Sequence, residues 1–287
     1  MKQKTLVLLA TLIAIMLWAC SEQASRQAES TSTTTLEEVN DSVFEEVDTL
    51  LLDEEVNEEP MPAAADEMFD DFIFLFDQSH RVQRSRVRFP LVEVRGNDTI
   101  GTTAREDWQH HYLFFQKDFC TALFNYRGQM QMEESTKGKW AEVEQIFLHQ
   151  RLIHQYHFDR DTLGQWFLTE ERRLGFDESE LCSFLDFYRD FSTDSIFQRQ
   201  HVSGQIRYKT LDEEMENEPL EGTISADQWF EFAPELPRDV ITNIRYGQTY
   251  DNPNHIIFEM RGIANGLQVT LSFHQQAGVW RLTRLEN

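Results

Sequence analysis

The chain has 287 residues, 50 of them acidic and 26 basic, for a formal charge of −24. An apolar share of 40%, with 22 phenylalanines, is enough for a real core and excludes wholesale disorder. The negative charge opposes phosphate recognition, so nucleic acid is not an expected partner; three cysteines are too few for a disulfide scaffold and match no zinc spacing.

In chain order, the first element is an export signal. Lys2 and Lys4 precede an apolar run from Leu6 to Trp18, short for a bilayer-spanning helix and right for a signal core. Residues 1–19 are therefore read as a signal peptide. The run ends Leu17-Trp18-Ala19-Cys20, which resembles the bacterial lipobox, a small residue before a cysteine whose thiol takes the diacylglycerol. That resemblance makes Cys20 the expected lipidation site and the membrane, reached through an N-terminal lipid anchor, the expected partner. Ser21 stands where an Asp would imply inner-membrane retention, so the outer membrane is expected, on its periplasmic face or at the cell surface.

From residue 20 to 66 the chain reads as an acidic tether. Between Glu22 and Glu67 there are 15 acids and one base, Arg26. Such a segment buries too little apolar area to offset its ordering entropy, so it is expected to be mostly disordered. Within it, Leu36, Val39, Val43, Phe44, Val47, Leu50 and Leu51 recur at helical spacing, and Thr35 with Glu38 makes a capping-box pattern. These residues mark a candidate helix over 36–55.

Beyond Glu67 the chain copies itself. At an offset of 115, residues 69–87 and 184–202 are identical at seven of nineteen positions, including Phe69, Asp71, Phe72, Phe76, Gln83, Arg84 and Val87. Trp108 aligns with Trp229 at an offset of 121, and Gly164-Gln165-Trp166 with Gly278-Val279-Trp280 at 114. Two homologous domains, 67–175 and 178–287, follow from this register.

Each copy opens with a helix: Phe69, Phe72, Ile73 and Phe76 form one apolar stripe, and Phe184, Phe187, Tyr188 and Phe191 the other. Ser79 and Asp194 are N-caps for a short second helix. Pro90 is expected to break that helix before a strand at Leu91–Val94. Each copy then closes in strands: 143–148, 152–158 and 165–173 in the first. In the second, Ile256–Met260 leads through Asn265-Gly266, a two-residue hairpin signal, to the alternating Leu267, Val269, Leu271, Phe273. The fold class expected is α+β: two tandem cone-shaped domains, each with N-terminal helices packed on a curved antiparallel sheet.

The Phe-Asp-Asp-Phe…Gln-Arg…Arg-Phe-Pro-Leu run at 69–91 resembles an uncharacterised lipoprotein family of Bacteroidetes, whose members are similar to the nuclear-transport-factor-like (NTF2-like) superfamily. The resemblance covers about residues 67–287. It implies an α+β cone that encloses a pocket between helix and sheet. The superfamily includes ketosteroid isomerase-like enzymes beside many binding and dimerisation modules, so the fold does not name the function.

No catalytic residue, cofactor or metal site is assigned from the sequence. Tyr156 with Asp159, or Tyr126, are the residue types an isomerase-like pocket would use, but they have no recognisable spacing. Of His110, His111, His149, His154 and His157, only His149 and His157 have the even spacing of a shared strand face, and His149 falls in a predicted turn; Cys120 with Cys182 reads as two buried free thiols or an interdomain bridge. Arg81, Arg84, Arg86 and Arg88 form a basic cluster in an acidic protein. It is read either as an anion clamp or as a set of salt bridges in which Arg84 and its counterpart Arg199 hold Asp71 or Asp186. The function expected is a non-catalytic envelope lipoprotein that binds or scaffolds an envelope protein, a peptide or a small ligand. The alternatives are a pocket enzyme of isomerase or hydratase type and a purely structural assembly subunit.

Overall fold

The computed structural model describes residues 63–287, apart from 97, 117, 213–217 and 264. The signal segment, Cys20 and the candidate helix over 36–55 lie outside the described residues.

Each repeat starts as its apolar spacing dictates. Helix α1 (Phe69–Gln78) buries Phe69, Phe72, Ile73 and Phe76, and α4 (Cys182–Thr193) buries Phe184, Phe187, Tyr188 and Phe191. The two stripes rest on their sheets with the same ring geometry. Phe76 meets Phe158 at 5.2 Å and 88°, and Phe191 meets Phe273 at 5.3 Å and 88°. Phe69 meets Trp166 at 5.0 Å, as Phe184 meets Trp280 at 5.4 Å. Edge-on pairs of this kind add to the area they bury.

Short helices α2 (His80–Arg86) and α5 (Ser195–Gln200) follow. Ser79 caps the first, accepting from the Val82 amide at 3.2 Å; Asp194 caps the second, accepting from Ile196 at 2.8 Å and Phe197 at 3.1 Å. Helix α2 ends at Arg86, three residues before Phe89, and Pro90 sits inside strand β1 (Val87–Arg95) instead of breaking the helix. What ends α2 is the passage into that strand, whose Val87 and Leu91 are drawn into the core.

The remaining strands are β2 (Asp98–Thr103), β3 (Phe119–Phe124), β4 (Trp140–Phe147), β5 (Leu152–Arg160) and β6 (Trp166–Gly175) in the first repeat. The second supplies β7 (Val202–Asp212), β8 (Glu218–Ser225), β9 (Val240–Arg245), β10 (His255–Gly262), β11 (Gln268–Gln276) and β12 (Val279–Glu286). Short helical turns α3 (Arg127–Met130) and α6 (Trp229–Phe232) precede β4 and β9. The strands form two six-stranded sheets, ordered β2-β1-β6-β5-β4-β9 and β8-β7-β12-β11-β10-β3. Neighbours are antiparallel except β1 with β6 and β7 with β12, which run parallel.

The order exposes a feature that no local pattern announces: the two repeats exchange a strand. β3 of the first repeat pairs with β10 of the second, and β9 of the second pairs with β4 of the first. A division of the chain near residue 176 therefore runs through both sheets. The exchanged strands sit between the cores. Cys120, Ala122 and Phe124 join the first core while Leu123 joins the second; Ile244 joins the first and Ile241 the second. A strand buried on both faces calls for a mostly apolar run, which Phe119-Cys120-Thr121-Ala122-Leu123-Phe124 provides, with Thr121 as its one polar residue.

Two boundaries differ from the sequence reading. Residues 63–66, counted there with the tether, are a helical turn of the fold, with Ala65 and Asp66 buried. The β10–β11 connection is longer than a two-residue hairpin: the Gly262 amide already donates to the Leu267 carbonyl at 2.7 Å. The Ile263 amide and the Asn265 side chain both donate to the Asp118 carbonyl, each at 2.8 Å, and hold this connection. Gly266, with φ of 74°, supplies the left-handed residue that lets the chain return.

Candidate functional site

A cavity of about 310 Å³ opens in the first lobe, beyond the aromatic core and on the side of the sheet that carries α1 and α2. Its floor is Tyr156, its walls are Glu93, Glu171, His154 and Arg173, and its rim is the segment His111–Tyr112. Strand register explains the lining. Glu93, Glu171 and Tyr156 stand side by side on β1, β6 and β5, and one step further along the same face stand Arg95, Arg173 and His154.

The rim is tied to α2 by a buried glutamine. The Gln83 side chain donates to the His111 carbonyl at 2.7 Å and accepts from the His111 amide at 3.0 Å. That reciprocal bond makes Gln83 the structural member of the repeated Gln-Arg pair; its counterpart Gln198 is also buried and donates to the Phe191 carbonyl at 3.1 Å. With its backbone fixed, His111 turns its ring onto Trp108 (4.4 Å between centroids) and places Nδ1 3.1 Å from Oε1 of Glu171. Both atoms are buried and neither makes a hydrogen bond among the described residues, so this approach is the one polar contact each has there.

The other walls keep unspent capacity. Glu93 accepts the Thr103 hydroxyl at 2.7 Å through one oxygen. Among the described residues, no carboxylate lies within ion-pair distance of Arg173. Burial, with Arg173 beside it, lowers the pKa of His154, so its imidazole stays neutral near pH 7. Burial, with Glu171 nearby, raises the Tyr156 phenol, which therefore keeps its proton; its nearest partner is Gln145 at 3.4 Å.

The second repeat has the same positions and no such lining. Register aligns Tyr156 with Leu271, Glu171 with Leu285, Glu93 with Tyr208 and His154 with Val269. The 121-residue offset of the Trp108 and Trp229 segments aligns His111 with Phe232. Leu271, Leu285 and Val269 are buried in the second core, and Phe232 packs on Tyr208 at 5.3 Å.

A second hollow, about 370 Å³, lies on the opposite face of the first sheet, against the second lobe. Its charges are spent on one another. Arg245 reaches Glu142 at 3.0 Å, Glu144 at 3.8 Å and Glu180 at 3.8 Å, and Gln155 donates to Glu144 at 2.8 Å. Burial raises Glu144 despite Arg245, as expected of a carboxylate held inside an interface.

The residues singled out by sequence take these places. Arg86 is buried and forms a two-pronged bridge to Asp66 (2.9 and 2.8 Å), whose carboxylate also accepts the Trp166 amide at 3.2 Å. Arg88 lies 3.6 Å from Asp161 and covers the Phe167 ring, with 3.4 Å from guanidinium carbon to ring centroid. Arg81 and Arg84 stay on the outward side of α2, and the Arg84 carbonyl accepts from Arg105 at 2.8 Å. The expected pairing of Arg84 and Arg199 with Asp71 and Asp186 does not form. Arg199 lies 3.7 Å from surface Asp227, and Asp186 is taken by Arg151 and Arg189.

Tyr156, Asp159 and Tyr126 do not converge. Asp159 accepts from Thr169 at 2.9 Å and Tyr126 is exposed. His149 and His157 are likewise apart, beside Asp239 (3.3 Å) and Glu142 (3.0 Å). Cys120 and Cys182 are both free thiols, the first buried, the second half-buried next to Asp177 and Asp186. Glu171 and Glu93 are not singled out by sequence, and His111 only as one of a histidine cluster; the signal available is the contrast with Leu285, Tyr208 and Phe232 in the second copy.

Comparison with known proteins places this geometry in context. Residues 48–287 match a family model described as a domain of unknown function, DUF4348. The fold is similar to the crystal structure of an NTF2-like protein from Bacteroides fragilis NCTC 9343. The TM-score is 0.72 with 36% identity, over 79% of this chain and 98% of that one. No curated protein matches the chain.

Proposed function

Starting from the fact that this chain belongs to the DUF4348 family and has an NTF2-like fold, we propose that it is a binding module whose first lobe captures a small polar ligand and whose second lobe is a structural copy. One observation carries the reading. The positions that line an open, charged cavity in the first repeat (His111, Tyr156, Glu171) carry apolar residues in the second, where Leu271 and Leu285 are buried in the core and Phe232 lies on the Tyr208 ring. A cavity of this size with a few convergent polar groups on an apolar floor is the usual form of a small-ligand site. The purely structural alternative would fill both copies alike.

The module belongs, in this proposal, to the cell envelope, held at the outer membrane by lipid on Cys20. Labelling with a fatty-acid probe, lost in Cys20→Ala together with sedimentation in the membrane fraction, tests the anchor.

For the pocket, native mass spectrometry of the chain purified from cells is the test. The reading expects a bound small molecule that leaves on denaturation and is lost in the doubly filled variant His111→Phe/Glu171→Leu. Retention of that molecule by the filled variant would refute the pocket.

A second reading draws on the His111–Glu171 pair. A carboxylate that orients an imidazole beside a cavity is the geometry of a general base. Under that reading the captured molecule leaves chemically changed, which mass analysis of the released species distinguishes.

A further inference from the structure

We propose that the first-lobe cavity is a site for a free dipeptide, its amino end held by Glu93 and Glu171 and its carboxylate by Arg173; this rests on the small-ligand reading above and names its class.

The argument starts from the sheet. Side chains that share a face of a strand recur every second residue, about 6.6–6.8 Å apart. In the cavity one such step separates an acidic row from a basic one. Glu93 and Glu171 are register partners across β1 and β6, and Arg95 and Arg173 are register partners two residues further on. On β5, Tyr156 flanks the acidic row and His154 the basic row. The lining thus presents two negative groups and then a positive one, at the spacing of two extended residues.

An extended dipeptide has the same spacing for the same reason. Its terminal ammonium and carboxylate are about two residues apart, at most roughly 6.6–7.2 Å. An α-amino acid is too short to touch both rows, and a longer extended peptide sets its two termini further apart than the two rows. Bidentate guanidinium–carboxylate pairing suits Arg173 to a terminal carboxylate.

The cavity groups are also free for the task. Arg173 has no carboxylate within ion-pair distance among the described residues, and Glu93 uses one oxygen on Thr103. His154 stays neutral, so it donates to or accepts from a peptide group without adding charge to the basic row. Ile100 supplies apolar contact for a small side chain at the mouth. In the second hollow, by contrast, Arg245 is already shared among three glutamates and Arg172 is paired with Glu170 at 2.6 Å, so both guanidinium groups are already engaged.

Isothermal titration with L-alanyl-L-alanine, its N-acetyl form and its C-terminal amide tests the proposal on the whole chain. The parent dipeptide is expected to bind, and blocking either terminus is expected to weaken binding at least tenfold. Arg173→Gln is expected to bind the parent and the amide equally, while Glu93→Gln narrows the gap between the parent and the N-acetyl form.

Equal binding of all three ligands, or an unchanged amide penalty in Arg173→Gln, overturns the dipeptide assignment. So does absence of dipeptide binding while a co-purifying molecule is still displaced by the His111→Phe/Glu171→Leu filling, and in that case the pocket reading survives. If filling the pocket displaces nothing and leaves alanyl-alanine affinity unchanged, both readings fall together.

Discussion

Thr121 and Thr242 occupy the same position in the two repeats and meet each other where the exchanged strands cross. The Thr121 amide donates to the Thr242 hydroxyl oxygen at 2.9 Å, the Thr242 hydroxyl donates to the Thr121 carbonyl at 3.3 Å, and the Thr121 hydroxyl reaches the Thr242 carbonyl. Both are buried. A hydroxyl on each side satisfies backbone groups of the other strand that no sheet neighbour reaches, and Asn243 extends the seam by accepting from the Leu123 amide at 2.8 Å.

Replacing either threonine by valine keeps the shape and strands buried backbone groups. Each single change is expected to cost about 1–3 kcal/mol. The double valine variant is expected to cost clearly less than the two together, because the groups act as one unit. Urea titration of the four proteins measures this coupling; simple additivity would show that the two threonines do not depend on each other.

Strand exchange makes a stronger demand on the halves. Residues 63–178 alone lack the strand that closes their sheet at β4 and expose β3, whose two faces belong to different cores. Residues 179–287 are in the reciprocal position. Neither half is expected to unfold cooperatively as a monomer, and co-refolding is expected to restore a single species the size of the intact fold. Size-exclusion chromatography with thermal melts checks this.

The Arg86–Asp66 bridge fastens the point where the chain enters the first lobe. Nearly enclosed (side-chain exposures of 10% and 9%), it also collects the Trp166 amide, and the Asp66 carbonyl accepts from Arg160 at 2.7 Å. Removing one partner leaves a buried charge, so Asp66→Asn and Arg86→Met are each expected to cost about 3–5 kcal/mol. Chemical denaturation measures the loss, and amide exchange at residues 63–66 should accelerate before the rest of the lobe.

Between the lobes, Arg261 is met by Asp70 at 2.7 Å, by Glu133 and by the Tyr246 hydroxyl at 2.9 Å, with Glu259 on the same strand. Burial outweighs the attraction of Arg261 and raises all three carboxylates, Glu133 to about 7. A carboxyl raised on folding holds its proton more tightly folded than unfolded. Its stabilising contribution is therefore complete below its ordinary value of 4.5 and fades as pH rises through about 7. His157, raised by its hydrogen bond to Glu142, works in the same direction. The chain is expected to be more stable at pH 5.5 than at pH 8, with Glu133→Gln reducing the difference. Denaturant midpoints across that range decide it.

Much of the fold was legible because its causes are local. The Phe69 and Phe184 stripes, the caps Ser79 and Asp194 and the closing strands β4, β5, β6, β10 and β11 come from spacing alone, and the aligned tryptophans disclose the repeat. The exchange of β3 and β9 was not legible. A strand bound to the other copy needs the same apolar residues in the same chain order as one bound to its own, so Leu123 and Ile241 look alike either way. The cavity lay between these cases. Glu171 is an ordinary strand residue until its counterpart in the second repeat, Leu285, is set beside it, and the His111–Glu171 contact joins residues brought together by the Gln83 clasp with Gln145 and Asp77, which also hold the rim. Arg86 drew attention as part of a basic cluster, but its carboxylate, Asp66, had been counted with the tether.

The contrast between an open first lobe and a filled second one is tested most directly by backbone amide shifts on titration with a mixture of free amino acids and dipeptides. The account predicts shifts at residues 93, 111, 154–156 and 171–173, and none at the equivalent 208, 232, 269–271 and 285. Shifts of equal size in both sets, or confined to the second, would contradict it.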